Sequence, residues 1–197
     1  MRARAWVRVA QYGLTAIGVA ALGYCAVTWV EARFYQAREA RYFAHQLERE
    51  NMPAAPHHVP RAVAAPEEGG LVGRLEIPRL GVSVMVAEGV ESADLKRGVG
   101  HIPGTALPWQ RGNTAIAGHR DTFFRPLRSI HRGDIITLGT LEGVYRYRVI
   151  STKVVGPEDV QVLDPTARDT LTLVTCFPFD YIGSAPERFI ARAERAE

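Results

Sequence analysis

Cys176 is the residue of this chain best suited to covalent chemistry. It closes the segment TLTLVTCFPF, in which Leu171 and Leu173 alternate with Thr172 and Val174 until Pro178 cuts the pattern. Such alternation marks a strand, and a proline cannot continue a central ladder, so the thiol stands where a rigid element ends at a cleft. The other cysteine, Cys25, lies in an uncharged run near the amino terminus, which leaves Cys176 without a disulfide partner in the rest of the chain. A lone cysteine is commonly a small buried apolar residue, but the end of a breaking strand is also an address for a nucleophile.

A thiol nucleophile needs a base or an electropositive neighbour, and His101, His119 and His131 are the candidates. His119 closes NTAIAGH and is followed at once by Arg120 and Asp121, so its strand end and that of Cys176 can meet. His131, in IHRGD, reads as an exposed turn histidine. His101, between Gly100 and Ile102-Pro103-Gly104, sits in a constrained loop, either as a structural residue or lining the same cleft. Acyl transfer also requires positive charge or donors aimed at the developing oxyanion. Arg188 opens the segment ERFIARAE twelve residues past Cys176, whereas Arg192 and Arg195 read as solvent-facing charges.

The elements that must position these groups are short strands. VGRLEI, VSVMVAE, NTAIAGH, DIITLGT, VYRYRVISTKV, DTLTLVTCF and ERFIARAE are separated by Gly, Pro and Asp clusters. In one of them Tyr145, Tyr147 and Val149 fall on one side and Arg146 and Arg148 on the other. The pattern implies a mostly β domain over residues 71–197, a closed or nearly closed barrel or a sandwich. GVGHIPGT lacks the Lys-Ser/Thr of a phosphate loop.

Ahead of this domain the chain changes character. Residues 12–30 run for nineteen positions without Asp, Glu, Lys or Arg, long enough to cross a bilayer as a helix. No small-x-small site follows, so an uncleaved anchor is expected rather than a signal peptide. Arg2, Arg4 and Arg8 precede it with no acidic residue among them, which predicts that residues 1–11 are cytoplasmic and everything beyond residue 30 is outside. Residues 31–50 are strong helix formers that prolong the span. Residues 51–70 carry four prolines and no hydrophobic period, and read as a semi-extended linker. At ~3.1 Å per residue it would reach roughly 60 Å. Its His57-His58 pair is most simply solvated.

Composition narrows the function further. In 197 residues, 24 Lys+Arg against 21 Asp+Glu leave a net charge of only +3, too little for the concentrated basic face of a nucleic-acid binder. Two cysteines exclude a disulfide scaffold and a Cys-rich zinc module. Glu158, Asp159 and Asp164, in the loop before the cysteine strand, are explained by turns and caps, and no metal or cofactor is expected.

Taken together, TLTLVTC ending at Cys176, AIAGHR with His119 and APERFI with Arg188 resemble, in order and separation, the signature segments of the sortase family, and most of all its class D. The resemblance runs from about Gly73 to Arg195. It implies a closed eight-stranded sortase-type β-barrel with short helices and a cysteine transpeptidase held at the cytoplasmic membrane by a single span. By the resemblance, Cys176 attacks an LPxTG-like or LPxTA-like sorting signal after Thr to give a thioester, and an amine resolves it. His119 moves the protons, and Arg188 holds the substrate and the oxyanion. Thr175 and His101, the latter in a GHxPGT-like segment, are implied to bind substrate. The implied partners are surface proteins with a C-terminal sorting signal and an amine acceptor, a cell-wall precursor or a pilin lysine. Two other functions use the same residues differently: a cysteine endopeptidase releasing its product to water, and a membrane-tethered binding module with a buried Cys176. The SHGCxR-type motif of peptidoglycan L,D-transpeptidases is absent.

Overall fold

The computed structural model describes residues 2–50 and 65–196, so His57 and His58 and most of the expected linker lie outside the described residues. The first element is one continuous helix, α1, Arg2–Glu50. A stretch within it is apolar and long enough to cross a membrane, and none of that stretch is buried against protein. Leu14, Ile17 and Leu22 are exposed, an apolar surface that water does not favour. The far end of α1 returns to the domain. Gln36 Nε2 donates to Arg97 O at 2.7 Å and Gln36 Oε1 accepts from Met85 N at 2.8 Å. Phe43 is buried beside the Arg74 guanidinium.

The domain is a closed barrel of eight strands. β1 (Leu71–Ile77), β2 (Val82–Glu88), β3 (Val99–His101), β4 (Asn113–Ala117), β5 (Ile135–Thr140), β6 (Gly143–Val155), β7 (Thr170–Phe177) and β8 (Glu187–Arg195) close in the order β1-β2-β3-β4-β7-β8-β6-β5. β2/β3 and β4/β7 are the parallel pairs, and the remaining pairs are antiparallel. Closure removes the free edges that an open sheet would present. The period-two reading of β6 holds: Tyr147 and Val149 are buried in the core while Arg146 and Arg148 are exposed. β3 was not among the strands expected from sequence. It has three residues, too few to show alternation, and it takes in His101, which the sequence reading put in a loop. A short helix, α2 (Ser92–Arg97), lies before it.

Arg195 and Arg192 depart from the solvent-facing expectation. The Arg195 guanidinium lies over the Tyr145 ring, 4.6 Å from its centroid, and Nη2 donates to Pro108 O and to the Tyr147 hydroxyl. Arg192 Nη2 donates to Val162 O at 2.7 Å. In both cases the long stem lies along the barrel while the planar head finds a carbonyl.

The β1–β2 connection turns through a 3-10 helix, Pro78–Leu80, closed by Gly81 at φ 63°, a left-handed conformation that favours glycine. Arg79 in this turn makes a two-pronged pair with Asp134, ahead of β5; Nη2 donates to Oδ2 at 2.6 Å. The hydrogen-bonded guanidinium holds the Asp134 carboxyl below its ordinary value, burial opposes it, and the His131 backbone N–H adds to the lowering. The stability from this pair is therefore complete above the unfolded carboxyl value near 3.8 and is lost as the pH falls from there through the lower folded value. Arg79→Met should move the acid-unfolding midpoint of the full chain, followed by circular dichroism, to higher pH. An unchanged midpoint would show that the pair adds no net stability.

Candidate active site

β7 runs between β4 and β8, and its two faces have different tasks. Leu171 and Leu173 point into the core, and the next residue on that face, Thr175, is also buried. Thr172, Val174 and Cys176 therefore face outward. The Cys176 thiol is half-buried.

Cys176 has a neighbour on either side. In the antiparallel β7/β8 ladder its direct partner is Arg188. Residues so paired have Cβ atoms roughly 4.5–5.5 Å apart on one face. In the parallel β4/β7 ladder Ala117 lies opposite Val174. The pairing then continues past the end of β4: Gly118 N donates to Val174 O at 3.1 Å, and Thr175 Oγ1 donates to Gly118 O at 2.7 Å. His119 follows immediately past the end of β4, and the same register carried one residue further would bring it level with Cys176. That register would set His119, beyond β4, in a row with Cys176 on β7 and Arg188 on β8.

The His119 turn is held closely from behind. A Cβ at Gly118 would lie 2.7 Å from the Phe124 ring and 2.8 Å from Val99 Cγ1, so only glycine lets the chain pass here. Beyond it, Thr122 N and Phe124 N both donate to His119 O. His119 also borders a cavity of about 730 Å³ whose other wall is α1, with Trp29 and Arg33 opposite Lys96, Asp121 and Phe123. His131 is remote from this row, in an exposed turn where its N–H bonds Asp134.

Neither residue expected to bind substrate presents a free side chain. Thr175 is 2% exposed and its hydroxyl is committed to Gly118 O, so it acts on the cleft through the His119 turn. His101 is also 2% exposed. Its Nδ1 lies 2.7 Å from Glu88 Oε2, its cross-strand partner, and its Nε2 lies 3.1 Å from Ala106 O. Nε2 also lies 3.0 Å from Thr105 Oγ1. The ring ties β2, β3 and the loop before β4 together, a scaffold role in place of the expected contact with a peptide.

Sequence reasoning missed Asn113. On the outer side of the barrel its Nδ2 donates to Val162 O at 3.0 Å and Asp164 O at 3.2 Å, and its Oδ1 accepts from Thr170 and Thr172 hydroxyls. It thereby fastens the 3-10 helix Val160–Leu163 over β4 and β7. The only sequence signal was an asparagine, poor in strands, at the start of one. Asn113→Ala leaves two buried hydroxyls without their acceptor and should cost about 1–3 kcal/mol, read from the urea midpoint of the full chain in detergent. Wild-type stability would show that water satisfies these groups.

The chain matches the family model of the sortase domain over residues 75–196. It is 35% identical to sortase D of Bacillus subtilis over 136 residues, which is 68% of this chain and 69% of that protein. Among solved structures, a Clostridium perfringens sortase D5 transpeptidase superposes with a TM-score of 0.65 at 27% identity, over 79% of this chain and 98% of that one. Sortase C of Clostridium perfringens, solved with the C-terminal cell wall sorting motif, gives 0.61 at 25% identity, over 82% of this chain and 87% of that one. Barrel order, cysteine strand and sequence agree, and the chain belongs to the sortase family of cysteine transpeptidases.

Proposed function

We propose that this chain cleaves an LPxTG-like or LPxTA-like sorting signal after Thr and transfers the acyl part to an amine, with Cys176, His119 and Arg188 as its catalytic residues. The reading is supported by the direct pairing of Cys176 with Arg188 and by the β4–β7 pairing that continues to Gly118, one residue before His119. Cys176 Sγ passes its proton to His119 and attacks the Thr carbonyl carbon, the C–N bond breaks, and His119 gives that proton to the departing amine. The incoming amine attacks the thioester, His119 takes its proton, and the sulfur leaves. Arg188 Nη1 donates to Ala185 O and Glu187 O, which leaves Nε and Nη2 as donors for the substrate and the oxyanion.

The substrate class is a surface protein with a C-terminal sorting signal, and the acceptor is a cell-wall or pilin amine. Residues 12–30 anchor the enzyme in the cytoplasmic membrane as a single span, with residues 1–11 inside and the barrel outside. The apolar, unburied stretch of α1 and the amino-terminal arginines support this arrangement. A half-exposed Cys176 at a cleft favours catalysis over the buried thiol of a binding module.

The test is the full chain in detergent micelles with LPxTG and LPxTA peptides, with and without triglycine, every product read by mass spectrometry. A peptide ending in Thr joined to triglycine is expected. Truncation with water alone would make the chain a cysteine endopeptidase. Cys176→Ala should abolish both products while keeping the fold, and His119→Ala or Arg188→Ala should lower kcat by about 10²–10⁴-fold. Unchanged turnover in Cys176→Ala would defeat the mechanism.

A further inference from the structure

We infer that Arg120 is a positioning residue of this active site, whose guanidinium fastens the β7–β8 loop to the His119 turn and thereby holds all three members of the row in place. The inference rests on the acyl-transfer reading of that row, and deepens it. The loop, residues 178–186, contains no helix or strand. It links Cys176, at the end of β7, to Arg188, at the start of β8. Only one hydrogen bond between its own backbone groups is seen among the described residues, from Tyr181 N to Pro178 O at 3.4 Å. Its tip buries little apolar surface, since Tyr181 is exposed and Ile182 is 97% exposed. A segment with so few contacts of its own needs an outside anchor to keep one conformation.

Arg120 is the anchor that grips its backbone, whereas Arg128 Nη1 reaches only the exposed Asp180 side chain, at 3.4 Å, and Phe179 alone packs inward, on Phe177 and Phe189. Nη1 donates to Pro178 O at 3.0 Å, and Nη2 donates to Tyr181 O at 2.7 Å and Gly183 O at 2.9 Å. Its guanidinium carbon lies 5.8 Å from the Tyr181 ring centroid. Among the described residues it makes no ion pair, and its donors go to carbonyls of this single loop. Through its main chain it is bonded directly to His119. One side chain therefore joins the base to the loop whose ends carry the nucleophile and the oxyanion arginine. A planar fork can serve three carbonyls on residues 178, 181 and 183, whereas an ammonium gathers its donors at one point, so lysine is not an equivalent.

The test compares the wild-type full chain with Arg120→Lys and Arg120→Ala in detergent micelles. Three quantities are read: hydrogen exchange of residues 178–184, the pH dependence of Cys176 alkylation by iodoacetamide, and kcat and KM with LPxTG peptide and triglycine. Both variants should unfold at the wild-type urea concentration yet exchange the loop amides about tenfold faster or more. Their alkylation profile should differ from wild type, and kcat should fall by about 10–100-fold with KM little changed. Lysine should not rescue. Wild-type loop exchange and alkylation in Arg120→Lys would overturn the inference, as would a kcat loss no larger than the loss of folded protein. Failure of Arg120→Lys to fold would assign Arg120 to global stability and also overturn it. If the wild-type chain leaves the peptide untouched, the acyl-transfer reading falls by itself, because exchange and alkylation still decide the role of Arg120.

Discussion

The parallel pairing of β4 with β7 is the constraint on which the cleft depends. Parallel strands need a long crossover, here the whole of β5 and β6, so the strand that leads into His119 and the strand that carries Cys176 are far apart in sequence and adjacent in space. The pairing does not stop where β4 stops. Two hydrogen bonds from β7 reach Gly118, one through the Val174 carbonyl and one through the Thr175 hydroxyl. They carry the ladder one residue past β4, to the residue before His119. The missing side chain at Gly118 allows Phe124 and Val99 to press on the same point from the other side.

Polar groups buried outside the barrel do as much for the cleft as the apolar groups inside it. The interior is a conventional core in which Leu75, Ile116, Leu138 and Leu173 are fully buried. Such a core fixes the curvature of the sheet without saying what stands on it. The outer panel of β4, β7 and β8 is specified instead by directional bonds. Asn113 and Arg192 hold the Val160–Leu163 helix, and Arg120 holds the β7–β8 loop. Within that loop Phe179 packs edge-on to Phe177 and Phe189, with centroids 5.9 and 5.3 Å away. Hydrogen bonds suit this task because they are lost steeply with misalignment, whereas apolar contact tolerates sliding.

The cysteine strand and the two-sided pattern of β6 were legible in the sequence because each lies in a run long enough for period two to show, whereas the strand read as closing at His119 ends at Ala117. β3 was not, since three residues carry no period. His101 illustrates the limit well. A histidine among glycines and a proline has the composition of a site loop, yet its ring is consumed by Glu88 and Ala106, partners that no spacing announces. Arg192 and Arg195 misled for a related reason: charge predicts exposure on average, while a guanidinium can satisfy itself on carbonyls that exist only once loops have folded over strands. Asn113 and Arg120 belong to the same class. Residue type told what chemistry each could do, and only the fold told where it was spent.

The docking of α1 on the barrel changes the meaning of the proline-rich segment. A helix that ends in free solvent would leave some twenty residues of slack to set how far the enzyme can wander from the bilayer. Here the helix itself returns to the domain at Gln36 and Phe43, before that segment begins. With residues 12–30 in the bilayer, Gln36 stands only about 9 Å further along the helix axis. The same helix walls the cavity beside His119. If that apolar stretch sits in a bilayer, the helix is a fixed gauge and not a leash, because a barrel docked on its far end cannot change its height above the span.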